Sequence, residues 1–228
     1  MFQQIKDKLE KNGFAIISSV FSKSEITELI SVVNPMLKNC PAAGIRGISQ
    51  KLPTIRALSS SPKILKLVTP ILGAEARLVR SILFNKSPKV NWKVTWHQDL
   101  SIAVAKRVNI EGFNAWSEKE GVVHVQPPES ILEKMLTVRV HLDAADESNG
   151  ALWVSQGSHS FGRIPAAQAA SIARKNGKTL CSVQAGDILL FRPLLLHSSH
   201  KVSSSNNRRI IHLEFSSAKL PSSLEWNH

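Results

Sequence analysis

The chain has 228 residues with 43% hydrophobic content, enough for one sizeable core, and no composition shift forces a second domain, so residues 1–228 are read as one. Its only cysteines, Cys40 and Cys181, form no CxxC pattern, which sets aside a disulfide framework and a thiolate zinc site in favour of buried thiols. The formal charge of +12 favours anionic partners, but the 29 Lys and Arg are dispersed and never reach a run of five, so a solvated surface is the reading and not a nucleic-acid stripe.

The opening "MFQQIKDKLEKNG" has the form of neither a signal nor a transit peptide. No apolar run approaches the roughly 20 residues of a membrane span. A soluble, cytoplasmic protein without membrane contact is expected, as a monomer or small homo-oligomer. The first third reads as helical: "FQQIKDKLEKNG" is amphipathic with Gly13 as its stop, and "FAIISSVF" follows as a strand. "SKSE" at 22–25 has the form of a capping box, and the helix behind it is expected to bend at Pro35. "SPKILKLVTPILG" repeats the helical pattern, with Pro62 near its start and Gly73 at its end.

From residue 76 the pattern turns to β. "ARLVRSILF", "WKVTWHQDL", "LTVRVHLDAA", "ALWVSQGS", "GDILLFRP", "PLLLHSSHKV" and "RRIIHLEFSS" are short apolar runs separated by turn residues, interrupted by one helix, "PAAQAASIARKNG". Asn149-Gly150 carries the strongest hairpin signal. The expected fold is mainly β with flanking α-helices, a barrel or two-sheet sandwich within one domain.

Two strands reveal their faces, because side chains alternate along a strand. Arg139, His141 and Asp143 oppose Val138, Val140 and Leu142; Arg208, Ile210, His212 and Glu214 oppose Arg209, Ile211, Leu213 and Phe215. If the apolar faces pack on the helices, the polar faces line the interior. Buried Arg, His and Asp are costly unless a ligand or metal satisfies them, so the interior is expected to hold one.

"TWHQDL" supplies the first candidates for a metal. His97 and Asp99 project to one face of an extended segment while Gln98 faces away. His197, ending an apolar strand in "RPLLLHSSH", is the best third ligand. Two histidines and a carboxylate on one face of an octahedral metal leave positions for a bidentate 2-oxo acid and O2, the pattern of non-haem Fe(II) oxygenases. The far carboxylate of such a co-substrate needs a fixed cation, for which the fork of Arg208 is suited. His200 could replace His197, Arg209 could replace Arg208 if the faces are reversed, and His141 and His212 are either contacts near the site or satisfied core histidines.

In their order and spacing, "NWKVTWHQD", "ESNGALWVSQGSH", "LLLHSSHK" and "RRIIHLEF" resemble the phytanoyl-CoA dioxygenase family of Fe(II)/2-oxoglutarate-dependent oxygenases, over about residues 44–216. The resemblance implies a double-stranded β-helix (jelly-roll, cupin-like) core with the N-terminal helices packed on the major sheet. It implies Fe(II) on His97, Asp99 and His197, 2-oxoglutarate held by Arg208 and Ser199, and further co-substrate contacts from Arg139 and Arg46. It also implies O2 as oxidant and hydroxylation of a small-molecule substrate with release of succinate and CO2. An aspartate at position 99 favours hydroxylation over halide transfer, which uses a small residue there. One departure is Gln156, where the family has proline.

Residues 100–135 form a long insertion between strands, expected to be a lid or binding loop in which Phe113, Trp116, His124 and Gln126 offer contacts to substrate. Two other readings compete: a jelly-roll binding protein without turnover, and a nucleic-acid demethylase of the same superfamily, which the dispersed charge argues against.

Overall fold

The computed structural model describes residues 2–38, 44–88, 90–203 and 207–227. Helix α1 (Phe2–Asn12) buries Ile5 and Leu9, one turn apart, and ends at Gly13, whose φ of 80° lets its N–H reach the Leu9 carbonyl. Strand β1 covers only Phe14–Ile17, the first half of the expected run. The capping box is present: the Ser22 N–H donates to the Glu25 carboxylate at 2.7 Å, and the Glu25 N–H donates to Ser22 Oγ at 3.3 Å. Helix α2 (Lys23–Lys38) continues through Pro35 to its end.

Next come β2 (Gly44–Arg46), the short helices α3 (Ile48–Lys51) and α4 (Pro53–Ser59), and α5 (Pro62–Leu72), which Gly73 terminates as expected. The β region holds β3 (Arg77–Lys86), β4 (Val94–His97), β5 (Ile102–Val104), β6 (Asn114–Lys119), β7 (Val122–Gln126), helix α6 (Glu129–Leu132), β8 (Met135–His141), β9 (Leu152–Val154), α7 (Ala166–Asn176), β10 (Thr179–Cys181), β11 (Ile188–Phe191), β12 (His197–Ser199) and β13 (Arg208–Ser216). No helix of the described residues is long and apolar enough to cross a membrane. Cys181 is buried, and Cys40 lies outside the described residues.

The strands form a major sheet in the order β1-β11-β8-β13-β3-β2, a minor sheet β10-β9-β12-β4, and a small sheet β5-β7-β6, with antiparallel pairing throughout. The first two make the expected jelly roll. One core lies outside it: Val138, Val140, Leu142, Ile211, Leu213 and Phe215 pack against Ile26, Leu29 and Val33 of α2 and Ile64, Leu67 and Val68 of α5. A second lies between the sheets, where Leu152 and Val154 meet Leu189 and Phe191. Each such side chain contributes about 1.5–3 kcal/mol by leaving water.

The expected Asn-Gly hairpin does not form. Strand β8 belongs to the major sheet and β9 to the minor one, so residues 142–151 cross between sheets and cannot close a two-stranded turn. Asn149 instead ties the crossing together, accepting from the Asp146 N–H at 2.8 Å and donating to the Ala144 carbonyl at 2.7 Å. The two-residue hairpin is elsewhere, at Glu120 (φ 53°) and Gly121 (φ 77°) between β6 and β7. The insertion is thus a folded sheet, held by a cluster including Ile102, Val125, Leu132 and Trp226.

Candidate active site

Strands β12 and β4 bring the two histidines together, because His197 is paired directly with His97 across the minor sheet. Strand β4 ends at His97, and Asp99 is fixed beyond it by its backbone, whose N–H donates to the Pro193 carbonyl at 2.9 Å. The spacer Gln98 faces away, as its place in an extended segment requires, and is buried. Its Nε2 donates to the carbonyls of Gly162 (2.8 Å) and Leu194 (2.6 Å), and its Oε1 accepts from the Ile164 N–H at 2.8 Å. Gln98→Leu would keep the bulk and strand three buried groups, at about 1–3 kcal/mol each. A lower Tm and weaker metal binding are expected, because residue 98 lies between two of the donors and its side chain anchors that segment; unchanged affinity in a calorimetric titration would refute this positioning role.

One donor atom each from His97, Asp99 and His197 lies within 4.8 Å of the others. The Nε2 atoms of His97 and His197 stand 3.8 and 3.7 Å from the two carboxylate oxygens of Asp99. Both Nδ1 atoms lie 2.9 Å from backbone carbonyls, those of Thr95 and Leu195. A carbonyl only accepts, so Nδ1 carries the proton and each Nε2 presents a lone pair to the space they share. Burial pushes the Asp99 carboxyl up, but His197, His97, His212 and Arg80 outweigh it and hold the group well below the usual carboxylate range. Burial, with His97 beside it, lowers His197 to about 4 against the pull of Asp99. A carboxylate and two imidazoles whose Nε2 atoms converge on one point are a donor set that fits a divalent metal.

Beside the triad lies a cationic end that the sequence reading saw only in part. Arg208, Arg139 and Ser199 line one cavity of about 90 Å³ with the three donors. Lys86, read from sequence as one of the dispersed surface lysines, is instead fully buried against it, since the register of β3 on β13 pairs it with Arg208. Its Nζ donates to Ser199 Oγ at 2.9 Å and to the His200 carbonyl at 2.7 Å. Burial, then Arg208 and Arg139, lower Lys86 to about 7; burial and Arg139 lower Arg208 to about 9. Arg208 donates to the Gly150 carbonyl, while Arg208 Nε and Arg139 Nε are buried without a partner. Among the described residues, Asp99 is the one acid lining this cavity. Clustered buried cations with orphaned donors fit the carboxylate of a co-substrate.

The faces of β13 are as expected: Arg209 points out, its Nε and Nη2 donating to Asp143 at 2.8 and 2.6 Å and its Nη1 to Asn34 at 2.8 Å. Asp143 is therefore not interior, because β8 stops at His141. His200 is exposed. His141 is buried with both ring nitrogens unpartnered and pushed well below its ordinary value by burial, Arg139 and Arg208. His212 lines the triad's cavity, and its Nε2 donates to Glu214 at 2.9 Å. Glu214 in turn accepts from Arg80 Nε at 2.8 Å.

Arg46 is not brought to the triad's cavity. It pairs with Glu120 and lines a larger one of about 380 Å³, with Arg56, Arg80 and His124. Of the four insertion residues, His124 lines that cavity. Phe113 and Trp116 pack within the small sheet's cluster, and Gln126 accepts from Arg163 Nη1 at 3.0 Å. Lys86 and Arg80 had a signal: Arg80, Ile82, Phe84 and Lys86 alternate onto one face of β3, the same charged-and-apolar mixture as β13.

The family model for phytanoyl-CoA dioxygenase (PhyH) matches residues 9–210. Among solved structures, AviO1 from Streptomyces viridochromogenes Tue57 is similar at 18% identity and TM-score 0.72, covering 97% of both chains. The α-ketoglutarate-dependent carbocyclase SnoK from nogalamycin biosynthesis is similar at 18% identity and TM-score 0.73, covering 95% of this chain and 84% of its own. EctD from S. alaskensis with 2-oxoglutarate and 5-hydroxyectoine is similar at 19% identity and TM-score 0.74, covering 95% of this chain and 76% of its own. At these identities the likeness establishes the fold. No curated protein sequence matches the chain.

Proposed function

The chain belongs to the phytanoyl-CoA dioxygenase family, and from that premise we propose that it is an Fe(II)- and 2-oxoglutarate-dependent dioxygenase that hydroxylates a small organic molecule, releasing succinate and CO2. The observation that carries the reading is the pairing of a two-histidine, one-carboxylate donor set with a buried cationic cavity whose lining offers no second acid. His97, Asp99 and His197 are the proposed iron ligands. Arg208 and Ser199 are the proposed contacts for the far carboxylate of 2-oxoglutarate; Lys86 reinforces them through Ser199, and Arg139 supplies the third charge. Bound iron would supply the one-electron chemistry by which O2 is activated as 2-oxoglutarate is oxidised.

The remaining work falls to the chain. The Thr95 and Leu195 carbonyls fix the imidazole tautomers. Phe191, fully buried with its ring centroid 5.1 Å from that of His197, backs the ligand with apolar surface and keeps water from its far side. The test is an anaerobic titration of metal-free protein with Fe(II) and then 2-oxoglutarate, followed by the visible metal-to-ligand charge-transfer band, with succinate release measured once O2 is admitted. A band is expected. Folded, iron-loaded protein that gives no band would overturn the oxygenase reading in favour of a binding protein.

A further inference from the structure

On that reading of the iron site, we infer that the cavity between β2, β3 and the β5-β7-β6 sheet is the substrate pocket, and that it takes a small organic anion: an apolar body bearing one carboxylate or phosphate. The register of β3 on β13 sets the order of parts. Lys86 is opposite Arg208, Ile82 opposite His212, and Arg80 opposite Glu214. Same-face neighbours on a strand are roughly 7 Å apart. His212 lines the triad's cavity; Lys86 and Arg208 lie on one side of it and Arg80 on the other, where Arg80 also lines the larger cavity. Along β3 the pocket thus lies beyond the triad, on the side away from the cationic end.

Its volume of about 380 Å³ is that of a small-molecule site. Leu78, Val79, Ala103 and Val122 give it apolar walls, and among the described residues its lining includes three arginines and no acid. Two of those charges are paired with acids outside the lining, Arg80 with Glu214 and Arg46 with Glu120. Arg56 is exposed, and its recorded hydrogen bond runs from Nε to the Ser49 carbonyl at 3.3 Å. One positive charge is left over to receive an anionic group. Glu120, on the tip of the β6–β7 hairpin and half-exposed, competes with that anion for Arg46.

The test is ligand-observed NMR titration, with saturating 2-oxoglutarate and without oxygen, of phenylacetate, phenyl phosphate and the neutral phenylacetamide. Both anions are expected to bind at least about tenfold more tightly than the amide, as befits a charge-assisted contact. Arg56→Gln should remove that preference and Glu120→Gln should strengthen it, two surface substitutions of opposite sign. The ratio of phosphate to carboxylate affinity then names the anion. Equal binding of amide and anions, or a preference indifferent to both substitutions, would overturn the anion pocket. The charge-transfer band is read in the same samples: a band without anion preference removes only the substrate class, and anion preference without a band removes only the oxygenase reading.

Discussion

Asp99→Ala is expected to fold and to lose iron. The side chain faces the two imidazoles and holds no backbone group, while the backbone N–H that anchors residue 99 to Pro193 survives the change. What disappears is the one carboxylate in the cavity lining, so the loss should exceed the roughly 10–100-fold of an outer-shell change. Anaerobic calorimetry with Fe(II), alongside circular dichroism to verify folding, measures it; wild-type affinity in the variant would remove Asp99 from the ligand set. The pH profile in the wild type is a second readout. Since His197 titrates near 4, it is already neutral at pH 6, where an ordinary histidine would be mostly charged. Its contribution to metal affinity should therefore be level from pH 6 upward and fall as pH drops towards 4.

Lys86→Met is expected to move two quantities in opposite directions. The lysine is fully buried beside two arginines, so an apolar side chain of similar length should stabilise the metal-free protein by removing a buried charge, a gain reduced by the hydrogen bonds to Ser199 and His200 that it gives up. The same change removes a cation from behind Ser199, beside the proposed co-substrate cavity, and should weaken co-substrate binding by roughly 10–100-fold, as for loss of a group that supports a contact residue. Lys86 falls from 10.5 to about 7 on folding, so between these values the unfolded chain binds the extra proton. Wild-type stability should accordingly rise with pH above 7, and the variant should lack that rise. A bound carboxylate favours the charged amine, so co-substrate affinity should decline over the same range. A variant less stable than wild type, with unaltered affinity, would show that Lys86 serves packing alone.

Alternation made the two best strands legible: Val138, Val140 and Leu142 face the helices, as do Ile211, Leu213 and Phe215, and the polar partners other than Asp143 face inward. His97, Asp99 and His197 converge because their elements were each visible as strand ends, although the sequence says nothing of the register that pairs His97 with His197. Lys86 escaped for the complementary reason. A lysine at the end of a strand looks solvated, and only its pairing with Arg208 across a buried sheet makes it interior. The Asn149-Gly150 turn misled because turn chemistry is local whereas the sheet a strand joins is not. The short helices α3 and α4 and the strands of the insertion, three to six residues long, fall below the length at which periodicity speaks.

The minor sheet ends at β4, an edge strand of four residues whose recorded partner is β12. Short edge strands are the part of a sheet that peels first. A metal gripping His97 and His197 would act as a clasp across that seam, in parallel with its backbone hydrogen bonds. Occupancy then governs more than chemistry: the amides of Val94–His97 should exchange with deuterium more slowly once the ion is bound, and starvation for iron would fray the barrel from this border inward.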